Sequence, residues 1–145
     1  MPAVFEFHHT VQPREIDGLG HVNNVEYLRW TQDAAVAHSA IQGWPQSAYI
    51  ALGSGWVART HTIEYISPAF EGDEIVVRTW VAEMKRVTSL RRFDIVRGSD
   101  QKRLAIAATN WAFVNLRTGL PSRVPPEIVQ AFELVSDPPT DNRRQ

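Results

Sequence analysis

Between Gly55 and Leu116 the chain is an almost unbroken series of strand patterns, and a single long helical pattern precedes it. The stretch GWVARTHTIEYIS alternates over its length, which assigns Val57, Arg59, His61, Ile63 and Tyr65 to one face of a strand. EIVVRTWVAEM and TSLRRFDIVRG follow as runs rich in β-branched and aromatic residues, and GSDQK, Gly98 to Lys102, closes a hairpin into RLAIAATNWAFVNL. Pro68 and EGDE supply another turn. Consecutive strands joined by turns make an antiparallel sheet.

The residues on either side complete the pattern. AVFEFHHTVQ alternates Val4, Glu6 and His8 against Phe5, Phe7 and His9, a strand with one buried face. From Asn24 the period changes: Tyr27, Trp30, Ala34, Ala37 and Ile41 share one helical face, which Leu28, Thr31 and Ala35 widen. Only Glu26, Arg29 and Asp33 form a polar strip, so the helix is expected to be buried on most sides. Gly43, Pro45, Gly53 and Gly55 predict an irregular connection into the strands. Pro125-Pro126 opens a short terminal helix, PEIVQAFELV, and Ser136 to Gln145 are expected to be a frayed tail. For 145 residues this order predicts one α+β domain, a five-stranded antiparallel sheet curled around a long helix. Its free sheet edges favour pairing with a second copy.

Composition removes several function classes. The net charge of -1, from 15 basic and 16 acidic side chains, gives no overall field to attract nucleic acid or an anionic membrane. The absence of cysteine excludes disulfides, thiolate metal sites and a cysteine nucleophile. The start, MPAVFEFHHTVQPRE, is too polar for a secretory signal, and no apolar run approaches the roughly 20 residues of a membrane span. A cytoplasmic protein is the expectation. His8 and His9 lie on opposite strand faces and make poor joint metal ligands.

The segment with the most chemistry is DGLGHVNNVEYLRW, Asp17 to Trp30. By local rules Asp17-Gly18 is a turn, and Asn23 or Asn24 is a helix cap. The same construction holds a carboxylate beside the exposed N–H groups of a helix start, which suit an oxygen that becomes negative when a carbonyl is attacked.

The D-x-x-G-H-V-N-N-x-x-Y pattern, followed by RTHTIEYISPAFEGDEIVV, resembles the hotdog-fold acyl-CoA thioesterases of the 4-hydroxybenzoyl-CoA thioesterase type. The HVNN run is also similar to one in acyl-acyl carrier protein thioesterases. The resemblance covers roughly Phe5 to Pro126 and implies the hotdog fold, assembly as a homodimer or homotetramer, and hydrolysis of an acyl-CoA thioester with no cofactor beyond the coenzyme A of the substrate. It makes Asp17 the catalytic carboxylate, as nucleophile or as base for a water. It assigns the main-chain N–H of Asn24 to the thioester carbonyl, and gives His21 and Asn23 roles in orienting Asp17, binding substrate or holding the turn. The carrier-protein enzymes have an asparagine two residues before the histidine, where this chain has Leu19, so the resemblance favours coenzyme A. The alternatives are an acyl-carrier-protein substrate and a non-catalytic acyl-CoA binding module.

Other candidates have structural explanations beside them. Tyr27, Trp30, Trp56 and Tyr65 are expected to set the depth of an acyl pocket, and Arg59 and His61 to line it or to sit on a half-exposed strand face. Asp73 belongs to a turn, and Glu26 and Asp33 to a charged helix strip. Among Lys85, Arg86, Arg91, Arg92 and Arg123, Arg86 and Arg92 are the expected contacts to coenzyme A phosphates, with exposed turn charges as the alternative.

Overall fold

A computed structural model describes residues 3–136. The chain runs through β1 (Phe5–Thr10), a short 3-10 turn (Pro13–Glu15), α1 (Asn24–Ile41), α2 (Gln46–Leu52), β2 (Ser54–Tyr65), β3 (Glu74–Met84), β4 (Thr88–Arg97), β5 (Arg103–Asn115) and α3 (Pro126–Ala131). All five strands form one antiparallel sheet in the order β1-β3-β4-β5-β2, so β1 and β2 are its edges. The expected α+β architecture, a five-stranded antiparallel sheet around a long helix, is the one observed. The tail lies outside the described residues beyond Ser136.

Helix α1 begins where Asn23 caps it, its side chain accepting from the Val25 N–H, and ends where Gly43 takes a φ of 97° that other residues rarely adopt. It buries Tyr27, Trp30, Thr31, Ala34, Ala35 and His38, a stripe at helical spacing. Tyr27, Trp30 and the two alanines meet Ile75, Val77, Phe93, Ile95 and Ala105 from the inner face of the sheet, forming the main core. A second cluster, Val81, Phe113, Val124, Ile128 and Phe132, is closed by α2 and α3 at the other end of the helix. In β1 the expected alternation holds, with Phe5, Phe7 and His9 on the more buried side.

Three sequence expectations change. The helix is not buried on most sides: Val25, Val36 and Ile41 are exposed, because one sheet curls around only one flank of it. The irregular connection contains α2. Its Gly and Pro residues are that helix's boundaries, Pro45 preceding the first turn and Gly53 closing the last at a φ of 85°. In β2, Ala58 opposes Trp111 and Thr60 opposes Asn110, so Arg59 is an extra residue in a β-bulge. The bulge shifts the alternation. His61, Ile63 and Tyr65 oppose Thr109, Ala107 and Ala105 on the helix-facing side, as Trp56 opposes Phe113, whereas Val57 opposes Ala112 and faces the other way.

Among the described residues no helix is long and apolar enough to cross a membrane. Phe93 is fully enclosed between α1 and the sheet. Phe93→Ala is expected to cost about 3–5 kcal/mol, read in urea as a lower midpoint at an unchanged m value.

Candidate active site

Asp17 stands at the mouth of a small hairpin built just before α1. Ile16 and Val22 form an isolated antiparallel bridge, the Asp17 N–H donates to the His21 carbonyl at 2.7 Å, and the Asn23 N–H donates to the Glu15 carbonyl at 2.8 Å. Gly18, Leu19 and Gly20 make the tip, where Gly20 has a φ of 88° and Leu19 is 83% exposed. One oxygen of the Asp17 carboxylate, Oδ1, accepts from the Leu19 N–H at 2.8 Å and the His21 N–H at 3.3 Å. Its second oxygen has no hydrogen-bond partner among the described residues. The side chain is thus oriented through one oxygen and available through the other.

The hairpin hands the chain directly to the helix. Asn23 Oδ1 accepts from Val25 N–H at 3.1 Å and its carbonyl accepts from Glu26 N–H at 2.9 Å. The cap leaves the Asn24 N–H, first in the helix, without an acceptor among the described residues. A free N–H at the positive end of an 18-residue helix is a donor suited to an anionic oxygen. Tyr65 reaches this point from the end of β2, its hydroxyl donating to the Asn24 carbonyl at 3.1 Å and its ring packed edge-on against Tyr27.

Beneath the hairpin lies a residue that strand and helix periodicity pass over. Glu15 is 1% exposed, and its carboxylate accepts from the Gln12 N–H at 2.8 Å, His9 Nε2 at 2.8 Å and Trp30 Nε1 at 3.0 Å. Burial pushes its pKa up, but the hydrogen bonds from Gln12, His9 and Trp30 outweigh that and hold it below the ordinary value. The signal in the sequence is Gln12-Pro13-Arg14-Glu15, whose capping pattern places the Glu15 carboxylate on the Gln12 N–H.

A family model described as the Thioesterase-like superfamily matches residues 11–132. The chain belongs to that superfamily. Among curated proteins no sequence matches it. Solved structures share its fold: a 1,4-dihydroxy-2-naphthoyl-CoA thioesterase from Synechocystis superposes with a TM-score of 0.82 at 19% identity, over 88% of this chain and 94% of that one. An acyl-ACP thioesterase from Bacteroides thetaiotaomicron gives 0.83 at 21% identity, over 96% of this chain and 56% of that one. A hypothetical protein from Aquifex aeolicus gives 0.83 at 24%, over 89% and 99%. Superfamily membership makes the chain a thioester hydrolase with the hotdog fold.

In this thioesterase the expected site residues divide by place. Asp17, His21, Asn23, Asn24 and Tyr65 converge on the hairpin and helix start. His21 holds Asp17 through its main chain, while its ring stacks edge-on against Phe70 at 5.3 Å. Tyr27 is in the core beneath Tyr65, and burial raises its pKa. Asp73 stays in its turn, accepting from Phe70 N–H at 3.0 Å, and Glu26 pairs with Arg29 at 3.2 Å. Arg59 is the exposed bulge residue, and His61 Nδ1 lies 2.9 Å from Thr109 Oγ1. Arg86 lines a groove with Lys85 and Arg123 at the β3–β4 turn, the far end of α1 from Asp17. Arg92 opposes Trp80 and Ala108, on the sheet face turned away from α1, and so does not join the others. Arg91, grouped with them as a phosphate contact, is buried on the inner face.

Glu15→Gln replaces one acceptor oxygen with an NH2 that faces donors. It is expected to lower stability at pH 7 by about 1.5–3 kcal/mol. Because the folded pKa of Glu15 is lowered, the wild-type contribution is present above the unfolded value and lost as pH falls through the folded one. Thermal unfolding from pH 7 to pH 3 should therefore show a smaller loss in Glu15→Gln than in wild type.

Proposed function

We propose that this protein hydrolyses an acyl-CoA thioester to the free acid and coenzyme A, with Asp17 as the catalytic carboxylate. The observation that carries the reading is the pairing of a carboxylate held by one oxygen with a helix-start N–H left free, at the two ends of one short hairpin. The thioester carbonyl oxygen lies on the Asn24 N–H, where charge developing during attack is stabilised by the helix end. The free oxygen of Asp17 then acts in one of two ways. It attacks the carbonyl carbon and expels the thiolate, giving a mixed anhydride that water cleaves, or it takes a proton from a water that attacks instead. Both routes return Asp17 as a carboxylate. His21 and Asn23 maintain the geometry by main-chain and capping hydrogen bonds, and no metal or redox group takes part.

The working form is a dimer. Strand β2 is an edge whose residues from Val57 to Thr62 are exposed on both faces, an unusual state for a long strand in a finished assembly. A second β2 pairing antiparallel across a two-fold axis near Arg59 covers it, together with exposed Val25 and Val36 of α1. Such pairing brings the Ser54 end of one strand to the Tyr65 end of the other. The basic groove of Lys85, Arg86 and Arg123 in one copy then lies toward the Asp17 hairpin of its partner, where it suits the phosphates of coenzyme A.

Asp17→Asn keeps an oxygen for the Leu19 and His21 N–H groups but cannot attack or take a proton. It is expected to lower kcat by about 100- to 10,000-fold with an unchanged melting temperature. A panel of chemically diverse acyl-CoA thioesters reads this, and near-normal turnover by the variant removes Asp17 from the mechanism. Tight binding by the wild type without any turnover would favour an acyl-CoA binding module. Turnover confined to carrier-protein thioesters would move the substrate to that class.

Charge introduced at the β2 edge tests the assembly. Val57→Lys with His61→Glu should shift the elution of the protein to monomer size, with activity lost alongside.

A further inference from the structure

A cavity lies away from Asp17, between the second half of α1, α2 and the start of β2. It has a volume of about 370 Å³, and Ala35, Trp44, Trp56, Val81, Met84 and Phe132 give it largely apolar walls. Exposed Val36, Ile50 and Leu116 rim its mouth. One wall residue is out of character: Arg91, 6% exposed, enters from the inner face of β4.

The partners of Arg91 are neutral. Its Nη1 donates to His38 Nδ1 at 2.9 Å and to Thr79 Oγ1 at 3.0 Å, and its guanidinium carbon lies 5.9 Å from the Phe132 ring centroid. Since a guanidinium only donates, His38 Nδ1 is an acceptor and cannot carry a proton. No carboxylate pairs with Arg91 among the described residues, whereas the other arginines of low exposure each have one: Arg78 with Glu6, Arg97 with Asp73 and Asp100, and Arg103 with Asp94. Burial pushes the Arg91 pKa down to about 10, which leaves it charged at neutral pH. Two further residues of the same lining, Gln32 and Trp111, have buried side-chain N–H groups with no acceptor among the described residues. The cavity therefore combines an apolar body with donors that lack acceptors and a cation that lacks an anion.

We propose that this cavity is the acyl pocket and that Arg91 selects acyl groups with an apolar body and a carboxylate at the end remote from the thioester. The proposal rests on the thioesterase reading and names its substrate class. From Asn24 to Val36 along α1 is about 18 Å, so in one chain the cavity and the helix start are well separated. The antiparallel β2 pairing brings the Gly55–Trp56 wall of one copy toward the Tyr65 end of the other, and with it the partner's Asp17 hairpin. A carboxylate arriving at Arg91 meets a charge whose desolvation has already been spent in folding, so the attraction is not offset by burying the cation anew. A methyl terminus at the same place leaves the guanidinium and the unpaired donors unmet.

The test compares matched thioesters that differ only at the terminus: adipoyl-CoA against hexanoyl-CoA, and suberoyl-CoA against octanoyl-CoA. Wild-type protein is expected to hydrolyse the carboxylate member of at least one pair with kcat/KM about 10- to 100-fold higher, and Arg91→Met to bring that ratio near one. The wild-type comparison stands even if Arg91→Met fails to fold. Equal rates, or preference for the methyl member in both pairs, overturn the proposal while leaving the thioesterase reading intact. Calorimetry of the same four compounds on Asp17→Asn separates binding from turnover. Preferential binding of a carboxylate member supports the pocket even if wild type hydrolyses nothing, a result that would sink the thioesterase reading alone. Equal binding, or none, overturns the pocket assignment.

Discussion

The geometry of the hairpin depends on a carboxylate buried beneath it. Glu15 joins three pieces of chain: His9 from β1, the Gln12 N–H from the turn, and Trp30 from the first half of α1. Its own carbonyl holds the Asn23 N–H, the residue that caps the helix. A charge this deeply enclosed is tolerable only when every donor stays in place, so the cluster resists displacement of any one element. The hairpin carrying Asp17 is thereby tied to the start of α1. Preorganisation of this kind is what a site needs if its donors are to meet developing charge without rearranging first.

Helix α1 serves both ends of the proposed reaction. Its start supplies an unclaimed N–H, and its second half supplies a wall of the cavity. One chain cannot bring these together, because they lie on the same helix at different heights. In the proposed dimer, the exposed β2 edge with its bulge at Arg59 is the symmetric contact that brings them together. The exposed apolar residues Val25 and Val36 of α1 are surface that the same proposed contact would cover.

The two buried acid–base clusters have opposite electrostatics. Around Glu15 the carboxylate is matched by donors and its charge is favoured. Around Arg91 the guanidinium has neutral partners, and burial works against its charge. The first cluster is complete within the chain and stabilises it. The second is the kind of local deficit that a ligand can make good.

Much of this molecule was legible in the order of its residues. Alternation marked β1 and β2, β-branched and aromatic runs with their turns marked β3, β4 and β5 at the observed ends or one residue beyond, and period 3.6 marked α1, because an element that buries one face writes its period into the chain. Asp17, the glycines and Asn23 were recognisable as a turn and a cap, since those conformations have few suitable residues. Tertiary structure decided what no local pattern encodes. A one-residue bulge at Arg59 rotated half of β2 relative to the other half, Arg91 was drawn inward while its neighbour Arg92 faced away, and Glu15 became a hub through contacts with His9 and Trp30. The physical reason is the same in each case. Periodicity reports which face of an element is buried, whereas register, pairing of charges and the shape of a cavity arise only when elements distant in the chain are packed together.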